Sequence, residues 1–142
     1  MLKHQLIHPD ILHTLGAAGH GSRVLIADGN YPFTTGSHPN AQRVFLNLMP
    51  GVVNAVQVLD ALVTAIPVEA AHVMQPADGS EPDIFAEFRQ RLPDLELQLL
   101  DRFAFYDAAK TSDTALVIAT AEQRIYANLL LTIGVVSPPT TG

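Results

Sequence analysis

The chain contains no cysteine, which excludes disulfides and thiolate metal sites and leaves the sequence silent on redox compartment. It also lacks a long apolar run. The longest stretch, Leu129 to Val136, is interrupted by Thr132 and Gly134 and falls far short of the ~20 residues that a membrane helix requires. Met1 to Pro9 shows neither an apolar core nor a small-residue cleavage pattern, so no signal peptide is expected and the cytoplasm is the default location. Charge is scarce. Charged residues make up 15% of the chain, against about 25% in typical domains. A small monomer needs charged groups to cover its surface, so the shortage points to a surface partly covered by other subunits. The eight basic and fourteen acidic residues give a net charge of −6. The basic ones are scattered and form no stripe for phosphate backbones, which argues against nucleic acid as a partner.

Several catalytic and binding motifs are missing as well. Gly19-His20-Gly21 lacks the third glycine of a dinucleotide fingerprint and precedes a strand where the fingerprint would follow one. Ser22 has no Gly-x-Ser-x-Gly context, so a hydrolase triad has no support. His4, His8 and His13 are spaced so that a helix could present two of them together, but Pro9 interrupts it, and no metal site is expected there.

What is present reads as one domain over residues 1–142, long enough to bury a core without staples. Pro9-Asp10 opens a helical pattern at Ile11, Leu12, Leu15 and Ala18, closed by Gly19. Val24 to Ala27 reads as a buried strand ending at Asp28-Gly29. Asn30 to Asn40, with Pro32, Gly36 and Pro39, reads as a loop. A second strand is expected over Arg43 to Leu48, a turn at Pro50-Gly51, and a helix over about 52–65 from the spacing of Val53, Val56, Leu59, Leu62, Val63 and Ile66. Further strands are expected at Val68 to Met74, Leu95 to Leu100 and Ala115 to Ala119. Ser80, Pro82 and Asp83 signal a helix start for Ile84 to Leu92, and Asp101 is placed to cap a helix over about 102–110. Ile125 to Val136 fits strand or helix by period alone, and strand is taken as the expectation. Strands alternating with helices argue for an α/β layered fold.

Polar residues stand where the apolar runs end. His20, between two glycines, reads as a general acid/base on a tight turn or as a surface histidine following a helix. Asp28 can bind a hydroxyl, orient a histidine or simply start the Asp28-Gly29 turn, and the last is the commoner use. Arg102 in a helix's first turn opposes the macrodipole, so it has an external partner or reaches to water. Tyr106 shares its face. In an extended strand Tyr126 and Asn128 would project to one side, placing a phenol beside an amide or forming an ordinary polar rim.

Taken in order, Gly19-His20-Gly21, Asp28 with Pro32, Arg102-Phe103-Ala104-Phe105-Tyr106, and Tyr126-Ala127-Asn128 followed by Leu129-Leu130 and Gly134-Val135 resemble the D-ribose pyranase/L-fucose mutarotase family. The similarity runs from about Leu2 to Val136. The resemblance implies a three-layer open-sheet α/β fold that assembles into rings, often decamers, with sites between neighbouring subunits. It implies a mutarotase needing no cofactor or metal, which interconverts cyclic forms of a monosaccharide. His20 matches the proton donor, with Asp28 supporting it, and Asp28, Arg102, Tyr126 and Asn128 match sugar-binding positions. The Arg102 to Tyr106 run resembles the fucose branch. The chain departs from the family at Gly29-Asn30-Tyr31 and in a longer 33–50 connection. Other readings remain: a D-ribose pyranase, a non-catalytic sugar-binding accessory of transport or catabolism, or a structural oligomer.

Overall fold

The computed structural model describes residues 1–140. Among them are four helices, α1 (Pro9–Ala17), α2 (Ala55–Leu62), α3 (Ile84–Arg91) and α4 (Arg102–Ala109). They alternate with strands β1 (Arg23–Ala27), β2 (Gln42–Phe45), β3 (Val68–Met74), β4 (Leu97–Leu100), β5 (Thr114–Ala119) and β6 (Leu129–Ile133). The strands form one sheet in the order β2-β5-β1-β6-β3-β4. β1, β2 and β5 run parallel, as do β3 and β4, while β6 is antiparallel to both β1 and β3. Five strands therefore point one way. Their carboxyl ends and the start of β6 share one end of the sheet, where open α/β sheets present their sites.

Alternation along β1 divides the core. Val24 and Ile26 face a cluster with Ile11 of α1, Leu59 and Leu62 of α2, and Phe85 and Phe88 of α3. Leu25 and Ala27 face a second cluster with Phe105 and Ala109 of α4 and Tyr31 of the following loop. Both sheet faces are covered, giving three layers, and the buried strands are continuous apolar runs for that reason.

Local chemistry sets most boundaries. His8 starts α1, its Nδ1 accepting from the amides of Asp10 (3.2 Å) and Ile11 (3.4 Å). Asp101 caps α4 as expected, accepting from Ala104 N–H at 2.8 Å. Asp83 stands before α3 but makes no capping bond. The helix expected from residue 52 starts at Ala55, because Asn54 and Gln57 form a reciprocal capping box there. β2 ends at Phe45, short of Leu48, where the chain turns through a Met49–Val52 bridge.

The largest correction concerns the chain's end. β6 begins at Leu129, and Ile125 to Asn128 lie outside it. Leu129, Leu130 and Leu131 are fully buried between β1 and β3. The apolarity of this run is thus a property of a central strand and needs no subunit contact to explain it. Within the Leu129 to Val136 run, only Val135 and Val136 are exposed.

Arg43 holds the loop after β1 in place. Its guanidinium donates to the carbonyls of Phe33, Thr34, His38, Pro39 and Ala41 and to Ser37 Oγ. One cation thereby satisfies carbonyls that a loop otherwise leaves to water. No helix among the described residues is long and apolar enough to cross a membrane.

Candidate active site

Asp28 leaves the carboxyl end of β1 and is almost fully buried. Its Oδ1 accepts from Asn30 N–H at 3.0 Å, and its Oδ2 accepts from Ala127 N–H at 3.3 Å and Asn128 Nδ2 at 3.2 Å. Burial pushes its carboxyl above the ordinary value of 3.8, and those hydrogen bonds oppose the shift. Three fixed donors make this an oriented acceptor.

Tyr126 departs from the extended conformation expected of it, with a φ of 60°. This left-handed turn is unusual for a bulky residue and is held here by its surroundings. It sends the Ala127 amide and the Asn128 side chain back onto Asp28. Tyr126 and Asn128 are therefore brought to one site by a turn, and no shared strand face is involved.

A cavity of about 280 Å³ opens at this end of the sheet. It is lined by Asp28, Arg102, Tyr126 and Asn128, together with Asn30, Tyr31, Met74, Tyr106 and Ile125. The volume is near the low end for ligand pockets and suits a small molecule. Arg102, at the first position of α4, lies with its Cζ 5.7 Å from the Tyr106 ring and 5.8 Å from the Phe103 ring. It has no ion-pair partner among the described residues, so its fork of donors is available. The floor is stiff: the Tyr31 hydroxyl donates to the Gly36 carbonyl at 2.6 Å, and its ring packs edge-on against Tyr106. Burial raises the Tyr31 phenol well above its usual value, so it stays protonated.

A larger hollow of about 490 Å³ lies beyond Gly29 and Asn30, between the ends of β2 and β5. Its carboxylate, Glu122, is already engaged by the Ala55 amide and by Arg124. The rest of the lining is carboxamide, hydroxyl and backbone with the apolar Met49, Pro50 and Ala121, and holds no free acid or base. The chemistry is concentrated in the smaller cavity.

His20 is absent from that cavity. It precedes β1 whereas Asp28 follows it, and five strand residues at ~3.3 Å each separate the two ends. Within one chain Asp28 does not orient His20, because it lies at the other end of the strand. The carboxylate that touches His20 is Glu69, whose oxygens lie 3.0 and 2.9 Å from Nε2. Sequence reasoning missed Asn30, Tyr31, Met74, Ile125 and Glu69. Tyr106 had left a signal, its spacing of four from Arg102. Asn30 and Tyr31 lie within three positions of Asp28, and Ile125 is next to Tyr126, whereas Met74 and Glu69 are placed only by strand order.

A family model described as the RbsD / FucU transport protein family matches residues 1–136. The chain is 30% identical over 136 residues to a D-ribose pyranase of Geobacillus kaustophilus, covering 95% of each. It is 30% identical over 146 residues to a fucose mutarotase of Danio rerio, covering 94% of this chain and 92% of that one. The solved fucose mutarotase of Streptococcus pneumoniae, in complex with L-fucose, superimposes with a TM-score of 0.81 at 29% identity, over 96% of this chain and all of that one. Bacillus subtilis RbsD complexed with D-ribose shares the fold, with a TM-score of 0.84 at 24% identity over 96% of this chain and all of that one.

Proposed function

Because the chain belongs to the RbsD/FucU family, we propose that it is a cofactor-independent monosaccharide mutarotase acting on L-fucose or a related aldose. The observation that carries this reading is the convergence of Asp28, Arg102, Tyr126 and Asn128 on one small cavity. A carboxylate, a guanidinium, a phenol and a carboxamide together satisfy the alternating donors and acceptors of a polyhydroxylated ring.

The reaction opens a hemiacetal. A proton is delivered to the ring oxygen, the anomeric hydroxyl loses one, and the ring C–O bond breaks to give an open aldehyde. The carbonyl rotates and the same hydroxyl adds to its other face, returning both protons. Nothing is oxidised or reduced, and the step requires only a positioned acid and base, worth about 10²–10⁴-fold. His20 is assigned the acid role, and Asp28 fixes the sugar.

This assignment requires a second copy. His20 stands at the amino end of the sheet and the cavity at the carboxyl end, so the amino end of one copy must meet the carboxyl end of the next. Such head-to-tail contacts give rings where the rotation between copies closes. Phe45, Leu48, Met49, Phe103 and Ile125 are exposed at the carboxyl end, where a neighbour would cover them and help exclude water. A decameric ring in the cytoplasm, with a neutral sugar as the partner, is the full reading.

Arg102 over Phe103 and Tyr106 favours a 6-deoxyhexose, whose methyl packs on aromatic faces while the guanidinium binds hydroxyls. One missing methyl is worth only about 1–3 kcal/mol, so weaker activity on ribose is expected. A relative named D-ribose pyranase is as similar as one named fucose mutarotase, which makes ribose the second reading. Magnetisation-exchange NMR on L-fucose, D-ribose and D-galactose, at catalytic protein concentration, tests both. Fastest exchange on L-fucose is expected. A preference for D-ribose selects the second reading, and binding without acceleration leaves only a sugar-binding accessory.

A further inference from the structure

We propose that the larger cavity beyond Gly29 and Asn30 is a second sugar subsite, which lets the protein act on the reducing end of a neutral disaccharide. The inference rests on the proposed mutarotase reading for its chemistry and on independent geometry for the subsite. The reducing unit occupies the smaller cavity and the second unit the larger one. Opening and reclosing the reducing ring moves only the two protons already described, and the glycosidic bond stays intact.

The two cavities are neighbours. The larger, of about 490 Å³, lies at the carboxyl ends of β2 and β5, beside the residues that follow β1. β5 and β1 are adjacent in the sheet, and adjacent strands stand about 4.8 Å apart, a step comparable to one sugar ring. Asp28 lines the smaller cavity, Gly29 lines the larger, and Asn30 lines both. A Cβ at Gly29 would lie 3.0 Å from the Glu122 carbonyl oxygen, so a side chain is excluded where the two spaces adjoin.

The lining selects one kind of ligand. Asn30, Asn47 and Gln123 present three carboxamides, and none of these side chains has a hydrogen-bond partner among the described residues. Each carboxamide both donates and accepts, which matches neighbouring hydroxyls on a ring. Met49 and Pro50 add apolar surface for the C–H face of that ring. Glu122 is the one ionisable side chain in the lining, and its oxygens are taken up by the Ala55 amide and by Arg124. With no free cation, a phosphate or carboxylate on the ligand goes unmatched. With no free carboxylate, an amine does too. A neutral polyhydroxylated unit fits what remains.

The walls are also formed in advance, which spares a ligand the cost of ordering them. Gly29 N–H donates to the Glu122 carbonyl at 2.9 Å and Gly51 N–H to the Ala121 carbonyl at 2.8 Å. Ala121 N–H donates to the Val53 carbonyl at 2.8 Å, and Thr120 Oγ1 donates to the Ala27 carbonyl at 2.6 Å. The segments after β1, β2 and β5 are thereby tied to one another around the space they enclose.

The test is exchange NMR at the reducing end of L-fucose carrying galactose at O2, O3 or O4, each compared with free L-fucose, on the protein as it assembles. If D-ribose proves the preferred monosaccharide, the same three linkages on D-ribose are used. At least one linkage is expected to match or exceed the free sugar in kcat/KM. Asn47 and Gln123 are both exposed, so replacing them should leave the fold intact. Asn47→Ala combined with Gln123→Ala is expected to lower kcat/KM on that disaccharide about tenfold, the scale of two lost hydrogen bonds, with the free sugar unaffected. In the wild-type protein, the Asn47 and Gln123 side-chain amide signals are expected to shift with the disaccharide and to stay in place with the monosaccharide. A kcat/KM below that of the free sugar for all three linkages would overturn the proposal, and a neighbouring copy that fills the larger cavity gives that result. Equal losses on both substrates in the double variant would overturn it as well. If the wild-type protein accelerates exchange of no sugar, the mutarotase reading falls. The amide signals then decide the subsite alone, and signals unmoved by every disaccharide overturn it.

Discussion

Asn128 grips Asp28 at two points: its Oδ1 accepts the Asp28 backbone N–H at 2.7 Å, and its Nδ2 donates to Asp28 Oδ2 at 3.2 Å. The two residues are 100 positions apart and both are buried. Because the Asp28 amide can only donate, the orientation of the Asn128 carboxamide is fixed by this pair. The end of β1 and the start of β6 are locked together at the floor of the site.

Asn128→Ala should therefore harm both fold and function. It strands a buried N–H and removes a donor from a buried carboxylate, a loss of about 1–3 kcal/mol. Urea denaturation should show that loss, alongside reduced sugar exchange. Asn128→Asp, which sets a second carboxylate against Asp28, should be worse at pH 7 than in acid. A neutral outcome for both variants would mean that Asp28 is held by its other donors alone.

Asp28 should give pH effects of opposite sign on stability and binding. Its folded-state carboxyl lies above the ordinary 3.8 because of burial. Between those two values the native state holds more protons than the unfolded state, so ionising Asp28 costs stability as pH rises through that window. Sugar binding needs the ionised acceptor and should weaken on acidification while pH is still above 3.8. NMR titration of sugar affinity between pH 7 and about 4 checks this. Affinity unchanged across that range would remove Asp28 from the binding set.

Subunits carrying His20→Ala and subunits carrying Arg102→Ala should each be inactive alone and should recover activity when mixed and reassembled. Both side chains are exposed in the isolated chain, so neither substitution should disturb the fold. If a site takes His20 from one copy and Arg102 from the next, random equal mixing restores one half times one half, about a quarter, of the sites. A mixture as inactive as its parents would refute a shared site.

His72→Leu should stabilise the protein and flatten its acid response. His72 Nδ1 is buried without a partner, and burial, aided by Arg23, holds the imidazole below its ordinary 6.5. A depressed value means that stability is complete above pH 6.5 and is lost as pH falls through the folded-state value. Replacing the orphaned nitrogen should add about 1 kcal/mol near neutrality and remove that contribution to the acid slope. Sugar exchange should be unchanged, since His72 does not line the cavity. An unaltered pH–stability curve would place the acid sensitivity elsewhere.

Local chemistry made several elements legible in the sequence. The Asp101 cap, β3 from Val68 to Met74 and the core strand after Arg23 depend on neighbours within a few positions, and periodicity reports those directly. The candidate residues were legible for a related reason: Asp28, Arg102 and Asn128 interrupt apolar runs, and polar residues at strand ends gather at one edge of an open sheet. What periodicity cannot report is the order and direction of strands. Only the tertiary structure set β6 antiparallel between β1 and β3, turned Tyr126 into a left-handed conformation and brought Asn128 onto Asp28. It also carried His20 to the opposite end from Asp28 and gave it Glu69 as partner. Those decisions rest on contacts between residues dozens of positions apart, whose energies depend on which strands pair, and a linear pattern of apolar and polar residues does not encode that pairing.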